Sequence, residues 1–188
     1  TVPDLQVNND HLMVVSPDEG GMSRAIYIAN VLGVDMGMFY KRRDYTRIVQ
    51  GRNPIVAHEF LGSNVEGKDV IVIDDMISSG ESMIEVAGKL KDLHAGRIFL
   101  YSTFGLFTNG MEKFDAAYQD GLFYRLLTTN LVYQPPELLS RPYYISCDMS
   151  KYIALLIDTL NHDASISSLL DPYDRIHRLL ERYKNGQL

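Results

Sequence analysis

The sequence predicts an α/β domain with a largely parallel sheet, on three observations. Short apolar runs that suit strands alternate with segments of helical period over the first two thirds of the chain. One run, Val70–Ile73, is a continuous β-branched tetrad typical of a strand buried on both faces. The chain has 188 residues, of which 46% are apolar and 22% charged, as in one ordinary globular domain. We therefore expect a single domain over residues 1–188.

The expected strands follow from apolar runs bounded by turn residues. We place the central strand of the sheet at Val70–Ile73, because a strand covered on both faces belongs in the interior of a parallel sheet. In chain order, the expected strands are Leu12–Val15, Gly37–Tyr40, Val70–Ile73, Arg97–Tyr101, Phe123–Thr128 and Tyr143–Cys147.

The expected helices follow from apolar residues at helical spacing and from end signals. Gly33 is a natural C-terminal stop for the first helix, and Asp148 is a candidate N-cap. The helices are expected from Met22 to Leu32 with Met22, Ala25, Ile26, Ala29 and Leu32 inward, from Met83 to Leu93, over Asn109–Tyr118, from Asp148 to Leu160, and after Asp171-Pro172.

The segment Asp44–Lys68 has no obvious period and carries several glycines and a proline. It predicts a long, mobile loop with a short strand at its end. Loops of this length in compact domains usually serve a function.

Charge and composition exclude several classes of protein. Eighteen Lys and Arg against 24 Asp and Glu give a net charge of −6 and a pI near 5.3, so we expect no nucleic-acid partner. No apolar run reaches the roughly 18 residues of a membrane span, and no secretion signal is recognisable. The lone Cys147 is expected to be a buried structural thiol, and the compartment to be the cytoplasm. Because the chain opens at Thr1, we expect a fragment or a processed chain.

The most informative segment is the string from Val70 to Ser82, in which a buried strand runs into Asp74 and Asp75 and then into a small-residue loop and a helix. Backbone N–H groups at the first turn of a helix lack intrahelical partners and bind anions. Hydroxyls add further donors, a glycine permits close approach, and carboxylates accept bonds from sugar hydroxyls. The structural alternative is a helix N-cap with acidic residues near the dipole. The whole string favours a sugar phosphate site, built from Asp74, Asp75, Ser78, Ser79, Gly80, Glu81 and Ser82.

A second loop, Ser16–Gly21, also joins a strand to a helix. Gly20 and Gly21 expose backbone donors that suit diphosphate oxygens, while Asp18 suits Mg²⁺ or a sugar hydroxyl. The alternative is a turn with acidic residues before a helix. Arg24, one turn further on, is expected either to form an ion pair across the site or to cover the helix face.

These segments resemble those of the ribose-phosphate pyrophosphokinases, the phosphoribosyl pyrophosphate synthetases. The Val70–Ser82 string is similar to the phosphoribosyl-binding motif of the phosphoribosyltransferase fold. The string Ser16-Pro-Asp-Glu-Gly-Gly21 is similar to a loop of the pyrophosphokinases, and Lys41-Arg42-Arg43 to their catalytic flexible loop. The likeness covers nearly the whole chain but only the C-terminal half of a two-domain synthetase. It implies a phosphoribosyltransferase-like α/β fold.

The resemblance also implies an activity and its residues. Such an enzyme transfers the pyrophosphoryl group of MgATP to the C1 hydroxyl of ribose 5-phosphate, giving phosphoribosyl pyrophosphate and AMP. By the match of motifs, Lys41 and Arg43 are the catalytic clamp and Asp18 holds the metal, with Mg²⁺ as cofactor. The family forms homo-oligomers, often hexamers. The isolated chain is expected to be inactive, because half of the ATP pocket would be absent.

Three departures from the family pattern keep alternatives open. Ser78 replaces an acidic residue, Glu81 replaces a glycine, and Phe104 replaces a histidine. They favour a non-catalytic regulatory paralogue that binds phosphoribosyl ligands. A phosphoribosyltransferase is a further alternative, although no segment is recognisable as a nucleobase-binding hood.

Overall fold

The computed structural model describes residue 2, residues 4–43 and residues 55–187, apart from the side chains of residues 41–43, 55–58 and 168. The chain divides into two units, residues 1–147 and residues 148–188. The single domain expected over residues 1–188 stays a prediction. Within the described residues, no helix has the length and apolar character needed to cross a bilayer.

The first unit is built on a seven-stranded sheet with the order β3-β2-β1-β4-β5-β6-β7. Its strands are β1 (Leu12–Ser16), β2 (Asp35–Arg43), β3 (Ile55–Leu61), β4 (Asp69–Ile77), β5 (Ile98–Gly105), β6 (Arg125–Thr129) and β7 (Tyr144–Cys147). All neighbours pair in parallel except β2 and β3, which are antiparallel. The predicted fold class is confirmed, and β4 is the central strand.

Helices connect these strands and cover the sheet. In the first unit they are α1 (Met22–Leu32), α2 (Glu81–Asp92), α3 (Glu112–Gln119) and the short α4 (Pro136–Leu139). Helix α1 ends at Gly33, which adopts a left-handed conformation as the sequence predicts.

Two apolar clusters hold the unit together. Helix α1 packs small residues, Ala25 and Ala29, against Val14 and Ile73. The larger cluster lies around α2 and α3 and includes Val72, Met83, Val86, Leu90 and Phe114. Burial of a side chain of this size contributes roughly 1.5–3 kcal/mol, so these contacts fix the positions of the loops that follow the strands.

Several elements differ from expectation. Strand β2 runs through Arg43 and β4 runs through Ile77, because strand pairing with β3 and β5 continues beyond the apolar residues. The segment Asp44–Lys68 is expected to be a loop with a short strand at its end, but it contains the seven-residue strand β3, which ends at Leu61 and not at the end of the segment. Residues 44–54 lie outside the described residues. Ile71 is only half-buried, since it lines an apolar groove of about 320 Å³.

Other burial predictions are also wrong in part. Met22 and Ile26 of α1 are exposed, because the helix turns its alanines to the sheet. Leu93 follows the end of α2 and is exposed as well. Cys147 is partly rather than fully buried, and burial raises the pKa of its thiol.

The second unit consists of helices α5 (Ser150–Asn161), α6 (Ser167–Leu170) and α7 (Tyr173–Lys184). The Asp148 carboxylate accepts the Ser150 backbone N–H at 2.9 Å, but the N-cap of α5 is Met149 and not the expected Asp148, because the helix begins one residue later. The Tyr152 hydroxyl donates to the Leu169 carbonyl at 2.9 Å and ties α5 to α6.

Candidate functional site: two strand–helix loops at one edge of the sheet

The β1–α1 loop, Pro17–Gly21, is closed by its own carboxylate. Asp18 Oδ1 accepts the backbone N–H of Gly20 at 2.9 Å and of Gly21 at 3.3 Å. The buried Ser16 hydroxyl donates to the Asp18 carbonyl at 2.6 Å. The two glycine N–H groups expected to face a ligand are therefore bonded within the loop. These bonds form a turn before the helix, and the N-cap of α1 is Gly21, without a side-chain capping bond.

The β4–α2 loop, Ser78–Gly80, leads directly into helix α2. Its N-cap residue is Gly80, which has no side chain to bond the N–H groups of the first helical turn. Gly80 has φ +81°, and a Cβ there would lie 2.2 Å from the Phe114 ring. Glycine is thus required by the backbone and by the packing of α3, in addition to any need for a ligand to approach closely. The loop offers helix-terminal N–H groups at the carboxyl end of the central strand.

The two loops lie side by side. Strands β1 and β4 are parallel neighbours, with Val15 opposite Val72, so their carboxyl ends share one edge of the sheet. Strand β4 continues past β1, and a Cβ on Gly21 would lie 3.4 Å from the Ile73 carbonyl oxygen. The two strand–helix loops singled out from the sequence are therefore neighbours in the structure. Ligands of open α/β sheets bind at such an edge.

Asp74 and Asp75 lie within β4 rather than after it, and they interact directly. The Asp75 backbone N–H donates to Asp74 Oδ1 at 2.8 Å. Burial, together with the neighbouring Asp75, raises the pKa of Asp74 to about 6, and the negative charge of Asp18 adds to the effect. A hydrogen bond with Asp74, and the charge of Arg24, lower the pKa of Asp75.

Arg24 forms an ion pair across the site, with its Nη2 atom 3.5 Å from Asp75 Oδ2. This decides between the two alternatives left open by the sequence. Its Nη1 atom is buried and has no hydrogen-bond partner among the described residues. A buried guanidinium N–H without an acceptor lowers the stability of the fold, and an anionic oxygen placed beside it would accept its hydrogen bond.

The segment that follows β5 contributes residues that the sequence did not single out. The Thr108 N–H donates to the Ser78 carbonyl at 3.0 Å, and the two hydroxyls are 3.3 Å apart. Lys113 Nζ donates to Glu81 Oε1. The order of the strands could have indicated these residues. Strand β5 lies beside β4, so the loop after β5 lies beside the loop after β4.

The expected clamp residues have a different setting from the one predicted. The backbones of Lys41 and Arg43 belong to β2, with a register shift between Arg42 and Arg43, and not to a loop after the strand. Lys41 pairs with His58 of β3. Their side chains lie outside the described residues, so the clamp role stays a prediction.

Among the described residues, Asp18 does not belong to a cluster of metal-binding side chains. In the described ranges, no group of three or more His, Cys, Asp and Glu side chains is placed to hold a metal ion. The two bonds from glycine N–H groups engage only Oδ1 of Asp18. Magnesium often keeps its waters and binds through one or two carboxylates together with substrate phosphates, and a lone carboxylate fits that mode.

Comparison with known proteins identifies the class of this domain. Residues 4–122 match the family model described as phosphoribosyl transferase domain, and the chain belongs to this family.

Curated proteins similar to this chain include several ribose-phosphate pyrophosphokinases. One from Vibrio parahaemolyticus is 29% identical over 164 residues, covering 86% of this chain and 49% of the relative. One from Shewanella oneidensis is 31% identical over 161 residues, covering 85% and 48%. The chain thus spans about half the length of these relatives, and the resemblance to the C-terminal half of such enzymes is confirmed.

A solved structure shows the same fold. The phosphoribosylpyrophosphate synthetase of Mycobacterium smegmatis aligns with a TM-score of 0.64 at 21% identity, over 81% of this chain and 46% of that one. At this level of identity the likeness concerns the fold alone.

Proposed function

We propose that the chain is the ribose 5-phosphate-binding half of a ribose-phosphate pyrophosphokinase. The complete protein would transfer the pyrophosphoryl group of MgATP to the C1 hydroxyl of ribose 5-phosphate, giving phosphoribosyl pyrophosphate and AMP. The observation that carries the proposal is the placement of two strand–helix loops at the neighbouring carboxyl ends of β1 and β4. The similar proteins include ribose-phosphate pyrophosphokinases, which favours this reaction over that of a phosphoribosyltransferase.

In this proposal the β4–α2 loop holds the 5-phosphate. The first-turn N–H groups after Gly80 and the hydroxyls of Ser78, Ser79 and Ser82 would donate to its oxygens. Asp74 and Asp75 would accept bonds from the ribose hydroxyls, as carboxylates beside a diol do. The raised pKa of Asp74 fits a carboxylate pair that gains partners when the sugar arrives.

The incoming diphosphate would lie on the side of β1. Because Asp18 already bonds the N–H groups of Gly20 and Gly21, the stronger donor there is the buried Nη1 of Arg24. Asp18 would hold the ion that arrives with ATP, together with the substrate phosphates and water. When bound, that ion supplies positive charge to the phosphates.

The reaction would form a bond between the C1 oxygen and the β-phosphorus of ATP and break the bond from that phosphorus to the oxygen that bridges the α- and β-phosphates. AMP departs with the electron pair, and the C1 hydroxyl proton passes to water. Charge grows on the phosphoryl and leaving oxygens, so positioning and cationic groups supply most of the rate. Lys41 and Arg43 would provide those groups, and removal of one such donor costs about 100-fold in rate.

The direct test is calorimetric titration of the 188-residue chain with ribose 5-phosphate, with ribose as the matched ligand that lacks the phosphate. We expect binding of the phosphorylated sugar and none of ribose. We also expect little or no AMP when MgATP is added, because the chain spans about half the length of its relatives. Equal binding of both sugars would contradict the phosphate site, and rapid AMP release would contradict the expected inactivity.

A second candidate is a regulatory paralogue that binds phosphoribosyl ligands without catalysis. Ser78, Glu81 and Phe104 favour it, because they replace the acidic residue, the glycine and the histidine of the similar motifs. Phe104 is 39% exposed and pairs with Met76, which is 47% exposed, so this rim is apolar. In the full-length protein, absent activity together with ribose 5-phosphate binding that is unaffected by Lys41→Ala would favour the paralogue.

A further inference from the structure

Glu81 places a negative charge at the first residue of α2, immediately after the loop proposed to bind phosphate. A carboxylate at this position suits the helix dipole but repels a bound phosphate. The loop therefore needs a way to keep that charge from the anion, and the structure shows a partner for it.

Lys113 Nζ donates to Glu81 Oε1, and the pair joins the start of α3 to the start of α2. Lys113 lies in the first turn of α3, where the helix dipole disfavours a cation. The stability of α3 therefore does not account for a lysine at this position. Glu81, Glu85 and Lys113 border a surface depression of about 420 Å³ between the two helices, so the Glu81 side chain faces α3.

We propose that Lys113 is a positioning residue of the phosphate loop, which holds the Glu81 carboxylate toward α3 and so keeps it from the bound anion. The proposal rests on the function proposed above and deepens it. It assigns a role to a residue 32 positions away along the chain. It also explains how a motif with glutamate in place of glycine can still bind a sugar phosphate.

The expected effect is moderate, because the pair is partly hydrated. The Lys113 and Glu81 side chains are 55% and 63% exposed. Salt screens charges at such positions, so the effect on affinity is expected to be several-fold at low salt and smaller at high salt.

The test is a double-mutant cycle on the dissociation constant for ribose 5-phosphate, measured with the 188-residue chain. Lys113→Met is expected to weaken binding about fivefold in the native background and less than about twofold in the Glu81→Gln background. Lys113→Arg keeps the positive charge and is expected to restore binding. Lys89→Met is the matched control, because Lys89 pairs with Glu85 on the same helix at 3.4 Å, and it is expected to change binding less than about twofold.

Two results would overturn the inference alone. One is a Lys113→Met variant that binds ribose 5-phosphate as tightly as the native chain does. The other is an equal loss of affinity in the native and Glu81→Gln backgrounds, which would mean that Lys113 attracts the phosphate directly and not through Glu81. A different result would contradict the proposed function as well. In that result the native chain and the Glu81→Gln variant are both folded, and neither binds ribose 5-phosphate.

Discussion

The β1–α1 loop and the β4–α2 loop share one edge of the sheet and the same strand–loop–helix construction, yet they treat their N–H groups differently. In the first, Asp18 bonds the N–H groups of Gly20 and Gly21. Both helices begin at a glycine N-cap without a side-chain capping bond, Gly21 for α1 and Gly80 for α2, so the loops differ before the helices and not at the first helical turns. In the β1–α1 loop a carboxylate occupies two N–H groups that an anion would need, whereas the β4–α2 loop brings the hydroxyls of Ser78 and Ser79 to the start of its helix. This difference is the reason for proposing that the 5-phosphate binds at the second loop.

The largest expected effect separates the two glycines. Gly80→Ala is expected to cost about 2–5 kcal/mol in the free energy of unfolding, because it combines a positive φ with a methyl group 2.2 Å from the Phe114 ring. Gly21→Ala has an ordinary φ of −84° and only the Ser16 hydroxyl within 3.0 Å, so its expected cost is about 1 kcal/mol. Urea unfolding followed by circular dichroism measures both.

Gly88→Ala is the matched control for these glycines, because it lies within α2 and a Cβ there meets nothing within 4 Å. It is expected to stabilise by about 0.5–1 kcal/mol. Equal losses at Gly80 and Gly21 would contradict the account of the two loops.

The next effect separates binding from stability. Ser79→Ala is expected to weaken ribose 5-phosphate binding about tenfold with little change in unfolding, because its hydroxyl would donate to a charged oxygen. Ser16→Ala is expected to cost about 1 kcal/mol of stability, since its buried hydroxyl donates to the Asp18 carbonyl. Calorimetry measures the binding of both variants, and urea unfolding measures their stability. A loss of binding in Ser16→Ala together with a loss of stability in Ser79→Ala would contradict the roles given to the two loops.

A smaller effect tests the turn that the Asp18 carboxylate closes. Asp18→Ala is expected to lose about 1 kcal/mol of stability, because two N–H groups lose their acceptor. Asp18→Asn keeps an oxygen acceptor and is expected to retain most of that stability. Thermal unfolding of the two variants measures the difference, and identical melting temperatures would show that the carboxylate does not hold the loop.

The last comparison is a pH dependence where the two loops meet. The pKa of Asp74 is raised from 3.8 to about 6, chiefly by burial, so its contribution to stability is full below pH 3.8 and is lost as the pH rises through 6. The stability of the native chain minus that of Asp74→Asn is therefore expected to fall between about pH 4 and about pH 7. A difference that is flat across this range would show that Asp74 is not perturbed.

The order of strands and helices could be predicted because buried runs and end signals are local. Val70–Ile73 is apolar throughout, and Gly33 ends α1 as expected. The ends of β2 and β4 could not be predicted, since strand pairing carries charged residues such as Arg43 and Asp75 into the sheet.

The site was predictable in outline but not in its contacts. The motifs placed both loops, because carboxyl ends of parallel strands share an edge. The bonds from Gly20 and Gly21 to Asp18 depend on the exact turn, and the Lys113–Glu81 pair joins residues that are distant along the chain. Such contacts depend on tertiary packing that a single sequence does not display.

The central claim is tested most directly by following backbone amide resonances of the 188-residue chain during titration with ribose 5-phosphate. We expect the largest shifts at Ser79–Ser82 and smaller ones at Gly20 and Gly21, with ribose producing neither. Amides that shift only at the opposite end of the strands, around Arg97, or fail to shift with the phosphorylated sugar, would contradict it.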